Sequence, residues 1–207
     1  MTMRPQTQST KVIETLRALG IARLRELMDA GAGQETVARL VRDGRIIRLA
    51  RGLYQLPDAN LEAAHTKAEA CKLVPKGVVC LISALQFHEL TVQLPRSIWM
   101  AIETRARKPK ISYPPIEFVR FSETALKEGV EKHIIEGVTT RVTSPAYTVA
   151  DCFRYRNKIG IDVALEGMRE GLKRKACTAD AIMKAAQKRR IWTKLSPYLE
   201  AMVEYGG

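Results

Sequence analysis

The chain has 207 residues, 46% hydrophobic and 27% charged, which is enough apolar side chain to offset the ordering entropy of folding; this excludes an intrinsically disordered chain and leaves room for two small domains. Thirty-four Lys and Arg against 22 Asp and Glu give a net charge of +12, spread as +4 over residues 1–58, +3 over 59–150 and +5 over 151–207. An excess carried on every segment favours a polyanionic partner, nucleic acid before anionic membrane, and the lack of any run of about 18 apolar residues or of an apolar leader excludes a membrane span and a signal peptide, so the chain reads as cytoplasmic.

In chain order, Val12, Ile13, Leu16 and Leu19 fall at helical spacing over 11–19, with Ser9 and Thr10 as candidate caps and Gly20 as the stop. A second short helix from about Arg23 buries Leu24, Leu27 and Met28 and ends at Gly31, and a third over 34–43 turns Val37, Leu40 and Val41 inward before Gly44. Two apolar-rich runs, 46–49 and 53–56, flank the turn Ala50, Arg51, Gly52 and predict a tight hairpin that Pro57 terminates. Helix, helix, helix, hairpin is the order of a winged helix, which predicts a DNA-binding winged helix-turn-helix domain over 1–58.

A linker helix is expected over 61–72, within a connecting segment 59–75. Beyond it the period changes. Residues 78–82 read as a buried strand, 83–90 as a short helix, and 97–102 and 116–121 as strands separated by a basic, proline-containing loop. Ser122 opens a helix to about Lys127, and 133–135 with 138–142 form a hairpin about Glu136 and Gly137. The last third is helical: Ser144 before Pro145 opens one helix, Ile161 to Leu172 forms the second, Thr178 caps a third, and Ser196 with Pro197 opens a fourth. The fold class is therefore α+β, a winged helix followed over 76–207 by a mixed α/β domain that ends in helices.

Catalytic constellations are poor. His65, His88 and His133 are dispersed, no nucleophile-elbow, phosphate-loop, dinucleotide or zinc-protease motif occurs, and Asp151 with Arg154 and Glu170 with Arg174 read as helix ion pairs. Cys71, Cys80, Cys152 and Cys177 match no metal or redox spacing and read as buried thiols. No enzyme activity, cofactor or metal site is expected.

The sharpest feature is a ladder of arginines at three-residue steps: Arg39, Arg42, Arg45, Arg48 and Arg51. In a winged helix it runs from the third helix across the turn to the wing, and each guanidinium fork suits a phosphate or a guanine edge. Gln34 and Thr36 stand near the start of the same helix, where recognition helices touch bases, and Arg51 stands at the wing tip, placed for a minor groove or a phosphate. The plainer reading, a solvated face partly neutralised by Glu35 and Asp43, covers Arg39 and Arg42 but not the continuation into the hairpin. A second basic cluster, Arg169, Lys173, Arg174 and Lys175 with Lys184, Lys188, Arg189 and Arg190, reads equally as a nucleic-acid surface, a docking face for an acidic protein or solubility charge.

Three segments, RDGRIIRLARGLYQLPD (42–58), VPKGVVCLISALQFHELTVQLPRSIWMAI (74–102) and TSPAYTVADCFRYRNKIGIDVALEGMREGL (143–172), together resemble the AbiEi-like transcriptional regulators, antitoxins of type IV abortive-infection systems. The resemblance implies a winged helix-turn-helix that represses its own operon at operator repeats in double-stranded DNA, a C-terminal antitoxin domain, and a nucleotidyltransferase-like toxin as partner. By position it carries DNA contact to the segment from Gln34 to Arg51 and an antitoxin surface to the 169–190 cluster. A protein-interaction module, or a solitary regulator without a toxin, is the alternative, and the sequence sets no oligomeric state.

Overall fold

The computed structural model describes residues 7–57, 63–111 and 113–205, so the expected start of the linker helix at Leu61 and the 58/59 boundary lie outside the described residues. The chain divides into two compact units, Met1–Leu73 with Ile134–Thr139 and Val74–His133 with Thr140–Gly207.

The first unit begins with α1 (Gln8–Leu19), capped by Thr7, whose hydroxyl accepts from the Thr10 amide, so the cap lies earlier than Ser9 or Thr10. Next come β1 (Ile21–Arg23), α2 (Leu24–Asp29), α3 (Gln34–Arg42), β2 (Ile47–Ala50) and β3 (Leu53–Gln55). The sheet order is β1-β3-β2, both pairs antiparallel. β1 is absent from the sequence reading: three residues after a helix-ending glycine are too few to show a period of two. Its role is to pair Ala22 with Tyr54, giving the hairpin a third strand. Val12, Leu16, Leu27, Val37, Leu40 and Ile46 bury one face of each element in a common core. α4 (Ala63–Leu73) belongs to the same unit, tied by Lys72, whose ammonium lies 2.7 Å from the Glu26 carboxylate. That pair and the Arg23 amide hold the Glu26 carboxyl below its ordinary value against the opposing effect of burial.

The second unit holds a five-stranded sheet in the order β6-β5-β4-β8-β7, built from β4 (Val78–Val79), β5 (Ile98–Glu103), β6 (Ile116–Phe121), β7 (Val130–Ile135) and β8 (Val138–Thr143). β4 pairs antiparallel with β5 and parallel with β8, while β5 and β6 are parallel in register from Ile98↔Ile116 to Glu103↔Phe121. Helices complete the unit: α5 (Leu81–Phe87) packs on β5, α6 (Pro145–Arg154) packs on α5, and α8 (Ile161–Lys173), α9 (Ala179–Lys188) and α10 (Trp192–Tyr205) gather around α6, with the short α7 (Arg156–Ile159) between α6 and α8.

Several expectations are corrected. The apolar run 78–82 is a two-residue strand and then the start of α5, because a short run buried on all sides carries no period that separates strand from helix. Ser83 does not open that helix but lies inside it, accepting from the Trp99 amide at 2.9 Å. Residues 123–129 form successive turns in place of a helix. Pro197 lies inside α10 in place of opening it, at an exposed position one turn after the exposed Thr193, whose carbonyl the missing amide would have bonded.

The largest correction concerns charge. Asp151 pairs with Arg189, Nε to Oδ1 at 2.9 Å, and both side chains are buried; the expected Asp151–Arg154 helix pair is not the one formed, and Arg189 does not belong to the surface cluster. Its guanidinium also donates to the Ala125 and Glu128 carbonyls at 3.1 and 3.2 Å and lies over the rings of Phe121 and Tyr147, 5.4 and 4.7 Å from their centroids. The Glu170–Arg174 pair stands as expected, at 3.1 Å.

Gly129 closes the turn segment with φ +67, and a Cβ built on it would fall among the ring carbons of Tyr147. Gly129→Ala is therefore expected to cost about 2–4 kcal/mol, combining left-handed strain with displacement of a packed ring. Denaturant titration read by Trp99 and Trp192, the chain's two tryptophans, both in this unit, measures it.

Candidate nucleic-acid interface

The N-cap of α3 is Gly33, which has no side chain with which to cap it. Gln8 of α1 takes that part: its Oε1 accepts from the Gly33 amide at 3.1 Å and from the Thr36 hydroxyl at 2.7 Å. One turn on, the Arg39 guanidinium donates to the Ser9 hydroxyl at 3.3 Å. The N-terminal end of α1 thus fixes α3 from the flank, and Thr36 and Arg39 are turned toward α1.

On the adjoining flank, Gln34, Ala38 and Val41, spaced i, i+4 and i+7, line a groove of about 690 Å³ whose other wall is Leu24, Arg48, Arg51, Gly52 and Tyr54. The wing supplies the arginines for a local reason. Gly52 takes φ +75 to close the turn, its carbonyl accepts from the Leu24 amide at 2.8 Å, and a register shift between Arg48 and Ala50 re-aims β2. Arg42 lies on the exposed face of α3 between the two flanks, and Arg45 follows in the turn.

Gln34, Arg39, Arg42, Arg45, Arg48 and Arg51 are all exposed and Thr36 is half-buried. The structure brings Gln34, Arg48 and Arg51 to one groove and leaves Thr36 and Arg39 tied to α1. Arg48 and Arg51, on one wall of the groove, repel each other, so a polyanion there would gain Coulomb attraction and release its counterions.

In the second unit, Arg169, Lys173, Arg174, Lys175, Lys184 and Lys188 are exposed, but three are partly neutralised: Arg174 by Glu170 and Glu89, Lys184 by Asp180 at 2.7 Å and Lys188 by Glu128 at 3.3 Å. His88 and His133, dispersed in sequence, have ring centroids 6.4 Å apart, with Glu131 2 residues from His133 and hydrogen-bonded to it. Among the described residues no group of three or more His, Cys, Asp and Glu could hold a metal ion, and the four cysteines are buried and form no disulfide. No described helix is long and apolar enough to cross a membrane.

Residues 11–57 match the family described as "Transcriptional regulator, AbiEi antitoxin", a span that runs from α1 to the end of the wing. Among curated proteins no match was found. The crystal structure of the RV2827C protein from Mycobacterium tuberculosis is similar in fold, with a TM-score of 0.61 at 13% identity over 95% of this chain and 78% of that one. The likeness extends across both units and carries fold alone. What the chain shares with the AbiEi antitoxin family of transcriptional regulators is this one segment, residues 11–57, its winged unit.

Proposed function

We propose that this protein is a non-enzymatic repressor that binds operator repeats in double-stranded DNA through a winged helix-turn-helix over 1–58, joined by a connector over 59–75 to an antitoxin domain over 76–207. The observation that carries the reading is the groove between α3 and the wing, where Gln34 meets Arg48 and Arg51 beside the exposed Arg42 and Arg45. Arginines on phosphates supply affinity and register, and α3 supplies base contact from Gln34 and Arg42, with Thr36 and Arg39 positioned by α1 at its edge.

The experiment is a mobility-shift titration against the DNA upstream of the protein's own reading frame. With about five phosphate contacts the log-log slope on salt is about −4.5, a loss of several hundred-fold in affinity between 50 and 200 mM salt. Absent or salt-insensitive binding overturns the reading. The antitoxin part, counteraction of a nucleotidyltransferase-like toxin, is supported by the family description; Arg169, Lys173, Arg174, Lys175, Lys184 and Lys188 are the surface proposed for it. Growth rescue on co-expression with a toxin of that class from the adjacent reading frame tests it.

A further inference from the structure

A second cavity, of about 670 Å³, lies wholly within the C-terminal unit and plays no part in DNA binding as proposed above. Six cationic side chains line it: Arg154, Arg156, Lys188, Arg189, Arg190 and Lys194. Set against them are Glu128, which pairs with Lys188, and Asp151 behind Arg189, so four positive charges remain uncompensated. Among the described residues Arg154, Arg156, Arg190 and Lys194 form no ion pair.

The cavity is built and not an accident of loose side chains. Its floor is Arg189, held by the Asp151 carboxylate and two carbonyls of the turn segment. Arg154 and Arg156 are oriented by bonds to the Arg189 and Phe153 carbonyls, at 3.4 and 2.9 Å. Arg190 takes a left-handed backbone, φ 55, closing α9, with the Ile191 amide bonded to the Ala186 carbonyl at 2.9 Å. Glycine meets that turn without strain. The chain instead keeps an arginine there, on the wall of the cavity. Ser122, Thr124 and Asn157 add neutral donors to the lining.

We infer that this cavity binds a small oligophosphate, an anion of the nucleoside triphosphate class, read through its phosphates. Three features select that chemistry. Guanidinium forks match phosphate oxygens in pairs. The volume suits a nucleotide-sized ligand. A triphosphate carries roughly four negative charges at neutral pH, which matches the surplus, whereas a single carboxylate leaves most of the repulsion in place. No aromatic ring lines the described cavity on which a base could stack, so the phosphates and not the base are the recognised part.

The test is calorimetric titration of the full chain with sodium tripolyphosphate and, separately, ATP, at physiological salt, alongside inorganic monophosphate. One equivalent of tripolyphosphate per chain is expected, at least tenfold tighter than monophosphate. The exposed pair Arg190→Asn plus Lys194→Gln should weaken it at least tenfold, since asparagine tolerates the left-handed turn, while Arg48→Ala plus Arg51→Ala should leave it unchanged. Equal affinity for ATP identifies the inorganic chain as sufficient; tighter ATP identifies a nucleotide, and both support the pocket. No saturation at millimolar ligand, equal binding by the pocket variant whose melting curve is unaltered, or loss only in the wing variant overturns it. So does pocket-dependent binding of RNA without binding of tripolyphosphate. The wing variant separates this outcome from failure of the DNA reading.

Discussion

Arg189→Met is expected to destabilise the C-terminal unit by on the order of 3–5 kcal/mol, because it leaves the Asp151 carboxylate buried with its cation gone. The loss goes beyond one ion pair. The same guanidinium satisfies the Ala125 and Glu128 carbonyls and fills the space between Phe121 and Tyr147, so the turn segment 123–129 loses its tether to α9. Asp151→Leu with Arg189→Met should recover a large part of the loss, since removing both charges removes the uncompensated one. Trp99 and Trp192 fluorescence in denaturant reads the unit directly. Equal stability of wild type and Arg189→Met would contradict the burial of the pair.

The pair also sets a pH dependence. Burial pushes the Asp151 carboxyl up from its ordinary 3.8 to about 6, with Arg189 pulling the other way, and its Oδ2 finds no hydrogen-bond partner among the described residues. Between about pH 6 and 4 the folded chain holds a proton that the unfolded chain has released. Stability contributed by this group therefore rises as pH falls through about 6 and levels off below 4. His88 has the opposite sign: burial lowers its pKa, and although it bonds the Thr143 carbonyl at 2.7 Å, its contribution to stability is lost on acidification. The clean readout is the difference between wild type and Asp151→Asn, in which the rise between pH 6 and 4 disappears while the His88 contribution cancels.

How far the sequence carried depended on whether a feature was local. The strand 116–121 and the helices through Leu16, Met168 and Ala185 show their periods within one segment, and the turn at Gly52 shows in three residues. β1 is too short to show any. Arg189 is more instructive: in a run of three cations it reads as surface, yet it stands at helical spacing from Ile182, Ala185 and Ala186, whose face is buried, and that spacing distinguishes it from Lys188 and Arg190. The arginine ladder was legible as a list. Its division between the groove and the α1 flank was not, because Gln8 and Ser9 reach α3 only through tertiary packing. The oligophosphate cavity draws on residues 122–128, 154–157 and 188–194, and nothing within any one of those segments announces the others.

On the proposed function, replacing Arg48 and Arg51 together with alanine should weaken operator binding on the order of a hundredfold and flatten the salt dependence by about two contacts, a slope change of roughly 1.8. The reason is placement: both line the groove wall opposite Gln34 on a wing held by the Leu24 to Gly52 bond, so their loss removes phosphate contacts without altering the recognition helix. All sequences should weaken alike. Gln34→Ala should behave differently, with a smaller loss that is specific to one base position, since a glutamine side chain pairs with an adenine edge and is neutral toward phosphate. Arg39→Ala falls between the two: its bond to Ser9 steadies α3, so part of its effect should appear as lower stability of the winged unit and part as lower affinity. If the wing pair changed sequence preference while Gln34 changed only the salt slope, the docking orientation would be reversed, with the wing reading bases and the helix riding the backbone.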